Sequence, residues 1–138
     1  MKVYVAGSRL DRARVQELQE KIRDAGHTIT HDWTRELEVY SAEELLALDT
    51  KQAIAHADYL AVKHADVFIL INDPKCFGSA SEFGMAIAFR IPCLILNREA
   101  RENVFFDMPS PANVKAVRWN TVLSELAKLE GRLDLGIN

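Results

Sequence analysis

The sequence predicts an α/β fold: a doubly wound, five-stranded parallel sheet of the flavodoxin or Rossmann-like kind. Three observations point there. Short apolar or β-branched runs at residues 2–6 (KVYVA), 67–71 (VFILI) and 93–96 (CLIL) read as strands, and the last two are apolar throughout, as strands buried on both faces are. Amphipathic stretches of helical period lie between the strands, which is the alternation of a parallel sheet. Right-handed crossovers then leave few topologies. The order 2-1-3-4-5 puts the switch point between the first and third strands, where open α/β sheets bind ligands.

Taken in order, residues 2–6 form the first, central strand, closed by Gly7, Ser8 and Arg9. A helix follows from about residue 11 to 25, with Val15, Leu18 and Ile22 on one stripe and Gly26 as its C′ residue. Residues 27–33 (HTITHDW) suit a second, outer strand. Residues 34–41 are polar and read as a loop over the site. Ser41 and Glu44 have capping-box spacing and open a helical region over residues 42–63, broken near Asp49 and Thr50. Asp66 reads as the turn residue that starts the third strand, 67–71. Asn72, Asp73 and Pro74 stop that strand, since proline cannot donate to a ladder.

Gly78 and Ser79 open a turn, and Ser79 or Ser81 caps the next helix. Gly84, Ala86 and Ala88 offer that helix a small face for close packing on the sheet. Pro92 closes it, and the fourth strand is 93–96. Residues 98–112, with Pro109 and Pro111, read as irregular. The adjacent Phe105 and Phe106 cannot share a helical face, so they anchor a loop or meet a partner subunit. Residues 114–119 (VKAVRW) alternate as an edge strand. Asn120 caps a last helix over 121–129, Gly131 ends it, and 132–138 is a tail.

A length of 138 residues suggests one domain, and 49% apolar residues suffice for a core. The formal charge of −3 gives no electrostatic case for a nucleic-acid polymer as partner, although a single nucleotide needs only a local basic site. The two cysteines, Cys76 and Cys93, form neither a CxxC pair nor a Cys/His cluster at zinc spacing, so neither a metal nor a cofactor is expected. No signal peptide is recognisable, and no apolar run approaches the roughly 20 residues of a membrane span. The expected location is the cytoplasm.

One residue is out of place in this frame. Glu82 falls in the predicted first turn of a helix, just beyond the carboxyl end of a buried strand. Acidic residues favour that position for the helix dipole alone. The alternative is a catalytic carboxylate in a cleft. The strand order brings Gly7, Ser8 and Arg9 beside the loop of residues 73–81, which makes Asp73, Gly78, Ser79 and Ser81 candidate substrate-binding residues. A glycine turn lets backbone N–H groups approach an anion, and serine and arginine add donors. There is no GxGxxG and no GxxxxGK[ST], so neither a dinucleotide fingerprint nor a P-loop is indicated.

VYVAGS at 3–8, Asp58 with Ala-Asp eight residues later, and GSASEFGMAIA at 78–88 together resemble the nucleoside 2-deoxyribosyltransferase superfamily, which includes the 2′-deoxynucleoside 5′-monophosphate N-glycosidases. AGHTITHDWT at 25–34 is similar to a group of small bacterial and phage members. The resemblance implies that Glu82 is the nucleophile, attacking C1′ and forming a glycosyl-enzyme ester that a base or water resolves. It makes Asp58 the second carboxylate, assisting the departing base, and Tyr4 the tyrosine that orients the nucleophile. It also places Ser8 and Arg9 at a 5′-phosphate, with the arginine shifted by one from the family pattern, and Cys76 where a further phosphate-binding serine would stand. Asn103 matches an asparagine that reaches the neighbouring subunit's site, which implies a homodimer or higher homo-oligomer. Trp33 either stacks on a base or is a buried tryptophan at a strand end.

The leading expectation is therefore cleavage of the N-glycosidic bond of a nucleoside or nucleoside 5′-monophosphate, by transfer or hydrolysis. Two alternatives stand beside it. One is hydrolysis of a nicotinamide dinucleotide, as in TIR-type domains, which also join such a sheet to a glutamate. The other is a non-catalytic nucleotide-binding or sensing module.

Overall fold

A computed structural model describes residues 1–109 and 113–136. Pro111 and the last two residues of the expected tail lie outside the described residues. The strands are β1 Lys2–Ala6, β2 Thr28–Ile29, β3 Val67–Ile71, β4 Cys93–Leu96 and β5 Val114–Ala116. They pair in parallel in the order β2-β1-β3-β4-β5, as the crossover argument requires. The helices are α1 Arg12–Asp24, the single turn α2 Glu36–Val39, α3 Leu48–Lys63, α4 Phe77–Ala88 and α5 Val122–Asp134.

The register decides which side chains share a face. Tyr4 pairs with Phe68 and Ala6 with Leu70, and residues two apart on a strand point the same way. Tyr4 stacks on Phe68, Phe68 on Phe83 of α4, and Phe83 meets Phe106, with centroid separations of 5.8, 6.3 and 5.4 Å. Three of these rings are almost wholly buried and Phe106 nearly so. The aromatic row thus ties the centre of the sheet to α4 and to the segment after β4. Of the two adjacent phenylalanines, Phe106 anchors that segment and Phe105 stays half exposed.

On the other face α1 comes so close to the end of β1 that a Cβ on Gly7 would lie 2.9 Å from Val15 Cγ2. Behind the crevice, Asn72 Nδ2 lies 2.9–3.2 Å from the carbonyls of Asn97, Arg98 and Arg101, holding the segment that follows β4. Asp66 is a turn residue as expected; its carboxylate accepts from Lys2 N at 2.7 Å.

Several boundaries differ from the sequence expectation, each for a local reason. The second strand ends at Ile29 because Asp32 accepts from Thr34 N and turns residues 33–35 into a helical turn. That turn runs into α2, so the expected loop over 34–41 is largely helical. The Ser41–Glu44 capping box forms reciprocally at 3.1 Å each way. It opens only a 3-10 turn, because Ala47 is extended and the long helix restarts at Leu48.

Neither Ser79 nor Ser81 caps α4. Cys76 does, its sulfur accepting from Ser79 N at 3.5 Å. The small-face reading of α4 holds only at Ala86, which is buried; Gly84 and Ala88 are exposed. The fifth strand stops at Ala116, and Trp119 turns away to donate to Asn97 Oδ1 at 3.0 Å. Asn120 does not cap α5, whose N-cap position is Thr121, and the helix passes through Gly131 to Asp134.

Two glycine substitutions test this packing in opposite directions. Gly7→Ala forces a β-branched neighbour to move, so it is expected to cost about 1–3 kcal/mol. Gly84→Ala, where an added Cβ meets nothing within 4 Å, is expected to gain about 0.5–1 kcal/mol from helix propensity. Urea unfolding midpoints at constant m-value measure both; equal effects at the two positions would contradict the packing.

Candidate active site

The site lies at the carboxyl ends of β1 and β3. Because α4 starts at Phe77, Glu82 is its sixth residue, beyond the first turn where the helix dipole alone would explain an acid. There the helix faces Tyr4 on the central strand, and the Tyr4 hydroxyl donates to Glu82 Oε2. Tyr4 is fully buried. Burial holds its phenol well above the ordinary range, reinforced by the negative charges of Glu82 and Asp58, so it stays a donor. Burial also pushes Glu82 up to about 7, against the Tyr4 hydrogen bond, with Asp58 and Glu36 adding to the rise.

Asp58 enters from α3, half-buried. Burial first, then the Glu36 carboxylate, raises it to about 6, while His31 and Arg9 pull it down. Glu36 is the residue the sequence reading missed. Its side chain is 7% exposed, and its Oε2 accepts from the Arg9 guanidinium at 2.9 Å. His31 was missed as well. Its Nε2 stands 3.6 Å from both Glu36 Oε1 and Asp58 Oδ1, too far for a hydrogen bond. The Glu36 carboxylate chiefly raises the imidazole above its ordinary value, against burial. The available signal was topological: with β2 beside β1, the chain leaving β2 must pass the crevice.

Gly7 and Cys76 meet across the crevice floor, where the thiol donates to Gly7 O at 3.6 Å. Ser8 is buried, and its hydroxyl accepts from Leu10 N at 3.2 Å. Arg9 is half exposed and donates to Glu36 Oε2 through one guanidinium nitrogen. Asp73, Ser79 and Asn103 line one cleft with Asn72, Cys76 and Arg101 on their own chain. Asp73 accepts from Lys75 N, and Asn103 from Phe105 N. Gly78 and Ser81 are exposed on α4, and Ser81 donates to Phe77 O.

Trp33 is not a stacking platform. It is 7% exposed and its indole donates to Val5 O at 2.7 Å, so the base-stacking expectation is corrected to a core role. Among the described residues no helix is long and apolar enough to cross a membrane.

Partly buried carboxylates at the switch point of a parallel α/β sheet are an arrangement in which small-molecule enzyme sites occur. The profile of the family described as nucleoside 2-deoxyribosyltransferase matches residues 3–121, and the chain belongs to that family. It is similar in structure to the CMP N-glycosidase BcmB of Clostridium botulinum, with 20% identity, a TM-score of 0.62, and coverage of 94% of this chain and 99% of that one. It is also similar to a 2-deoxyribosyltransferase of Bacillus psychrosaccharolyticus, with 19% identity, a TM-score of 0.70, and coverage of 94% and 96%. At such identities the two likenesses concern the fold. No curated protein sequence matches the chain.

The raised Glu82 pKa carries a stability signature. Stability fully present below the ordinary value of 4.5 is lost as pH rises through about 7, because the folded chain disfavours the ionised form. Glu82→Gln lacks that loss. It is expected to match the wild type near pH 4 and to exceed it by roughly 1–3 kcal/mol at pH 8.5. Urea unfolding at the two pH values measures this, and a pH-independent difference would show an unperturbed glutamate.

Proposed function

We propose that the chain breaks the N-glycosidic bond of a nucleoside, deoxynucleoside or their 5′-monophosphates, with Glu82 as covalent nucleophile. The observation that carries this reading is the hydrogen bond from buried Tyr4 to Glu82 Oε2, which fixes one carboxylate oxygen and spares the other. A Glu82 oxygen attacks C1′ as the C1′–N bond breaks, and the electron pair leaves on the base. The transition state resembles an oxocarbenium ion, which a fixed carboxylate stabilises. Asp58 meets the departing base by a hydrogen bond or a proton. Water or a second base then attacks C1′, releases Glu82 as the carboxylate and gives up its proton.

Family membership supports the reaction class. The reading includes a homo-oligomer, for which exposed Phe77, Val104 and Phe105 beside the cleft supply apolar surface; sedimentation at working concentration checks it.

Base release from nucleosides, deoxynucleosides, their 5′-monophosphates and NAD, with and without a free acceptor base, tests the proposal. Glu82→Ala is expected to lose at least ~10³-fold in kcat/KM, and Asp58→Asn about 10²–10⁴-fold. A glycosyl adduct on Glu82, trapped and found by mass spectrometry, would establish the covalent step. Unchanged release by Glu82→Ala, or no release from any substrate, would overturn it.

The pH profile gives a separate check. The nucleophile must be ionised, so kcat/KM is expected to rise with pH along a limb centred near 7. The titratable and charged groups around Glu82 are Tyr4, Asp58, Glu36 and His31. Tyr4→Phe removes the hydrogen bond that favours ionisation, so it is expected to move the limb upward as well as lower the rate.

A further inference from the structure

The proposed reaction leaves Glu36 and His31 without a task. Three groups from separate parts of the chain meet there: His31 after β2, Glu36 in α2 and Asp58 in α3. One ligand atom from each lies within 4.8 Å of the other two. Glu36 is more than nine-tenths buried, yet among the described residues its Oε1 has no hydrogen-bond partner, and neither has the buried Asp58 Oδ1. An ionised buried acceptor without a partner is costly. Both free oxygens stand 3.6 Å from the same His31 Nε2.

These spacings have a chemical reading. Zinc ligated by imidazole nitrogen and carboxylate oxygen at about 2.0–2.1 Å in a tetrahedron separates its ligand atoms by about 3.3–3.4 Å. The two His31 contacts at 3.6 Å need only a small contraction to reach that, while the two carboxylate oxygens, within 4.8 Å of each other, draw together as a metal binds. Arg9 holds the other Glu36 oxygen at 2.9 Å, so Oε1 is turned toward the histidine, the kind of outer support that metal ligands receive. A nitrogen and two oxygens suit a borderline cation of the zinc class; calcium and magnesium prefer six or more oxygens. Among the described residues the one fixed cation paired with this cluster is Arg9, on Glu36, so a divalent ion also offsets local negative charge.

We propose that His31 Nε2, Glu36 Oε1 and Asp58 Oδ1 form a three-ligand site for a divalent transition-metal cation of the zinc class, with a fourth position open to water or substrate. The site is absent from the sequence pattern because its ligands are five and twenty-two residues apart and belong to different elements. Occupancy engages the Asp58 oxygen and thereby regulates any reaction that uses that carboxylate. This consequence rests on the function proposed above; the binding site itself does not.

The test is calorimetric titration of the full-length, chelator-stripped chain with ZnCl2 in phosphate-free buffer, without substrate. Visible absorption of the Co²⁺-loaded chain reports the coordination. One Zn²⁺ per chain is expected, with a micromolar or tighter Kd and a rise in Tm that grows with metal concentration. Glu36→Gln and His31→Gln are each expected to weaken binding at least ~10-fold, while His64→Gln, at an exposed histidine outside the cluster, binds as the wild type does. If Glu36→Gln fails to fold, His31→Gln decides. A Kd weaker than about 100 μM, or one unchanged in His31→Gln, would overturn the proposal. Because binding is read without turnover, its failure is distinct from a failure of base release, and Glu82→Gln is expected to keep the metal affinity.

Discussion

The hydrogen bond from Tyr4 to Glu82 is the constraint on which the rest of the site depends. It spans 78 residues of sequence and joins the central strand to α4. Tyr4 has little freedom to move. It is sealed under the sheet's aromatic row, stacked on Phe68, which stacks in turn on Phe83 one residue after Glu82. Packing and hydrogen bonding therefore fix the same helix twice, through adjacent residues. A carboxylate held this way gives up much of its hydration, and its pKa rises accordingly. A group poised near neutrality in a cleft is what acid–base and nucleophilic chemistry uses.

The second half of the site is built from outside the central sheet. α3 brings Asp58 and α2 brings Glu36 to the same crevice, and burial, then the like charge of Glu36, raises Asp58. Arg9, just beyond the Gly7 turn, answers one Glu36 oxygen; His31 faces the other. The cluster sits where the outer strand is shortest. With only Thr28 and Ile29 paired to β1, the chain is free to turn early and send Trp33 into the core and Glu36 into the site. The Trp33 indole bonded to Val5 O anchors that turn on the strand that carries Tyr4. The two halves of the site thus share one strand as their reference.

Reading the chain by pattern succeeded where burial and period coincide. VFILI is apolar at every position and lies buried on both faces; Val15, Leu18 and Ile22 mark the buried stripe of α1. It failed where local chemistry outcompeted preference. Serines 79 and 81 are better caps by propensity than a cysteine, yet Cys76 precedes the helix and its sulfur reaches Ser79 N. That single displacement moves Glu82 from the first turn into the second, which removes the dipole explanation for it. Gly84 reads as a close-packing residue, but its face of α4 is open within the chain.

By itself the sequence determined the strand order and the edge of the sheet where the candidate site lies. Hydrophobic runs and crossover handedness are local and chiral properties that need no knowledge of contacts. The family resemblance rests on motifs written in order along the chain, and it singled out Tyr4, Asp58 and Glu82 as candidates. What only the tertiary structure decided is the charge environment of those residues. Glu36 lies in a polar stretch with nothing in its neighbours to suggest burial, and His31 lies near the end of a strand-like run. Their role depends on distances of a few ångströms between elements far apart in sequence. Coulomb and desolvation energies change steeply over that range, and only the packed sheet and helices set it.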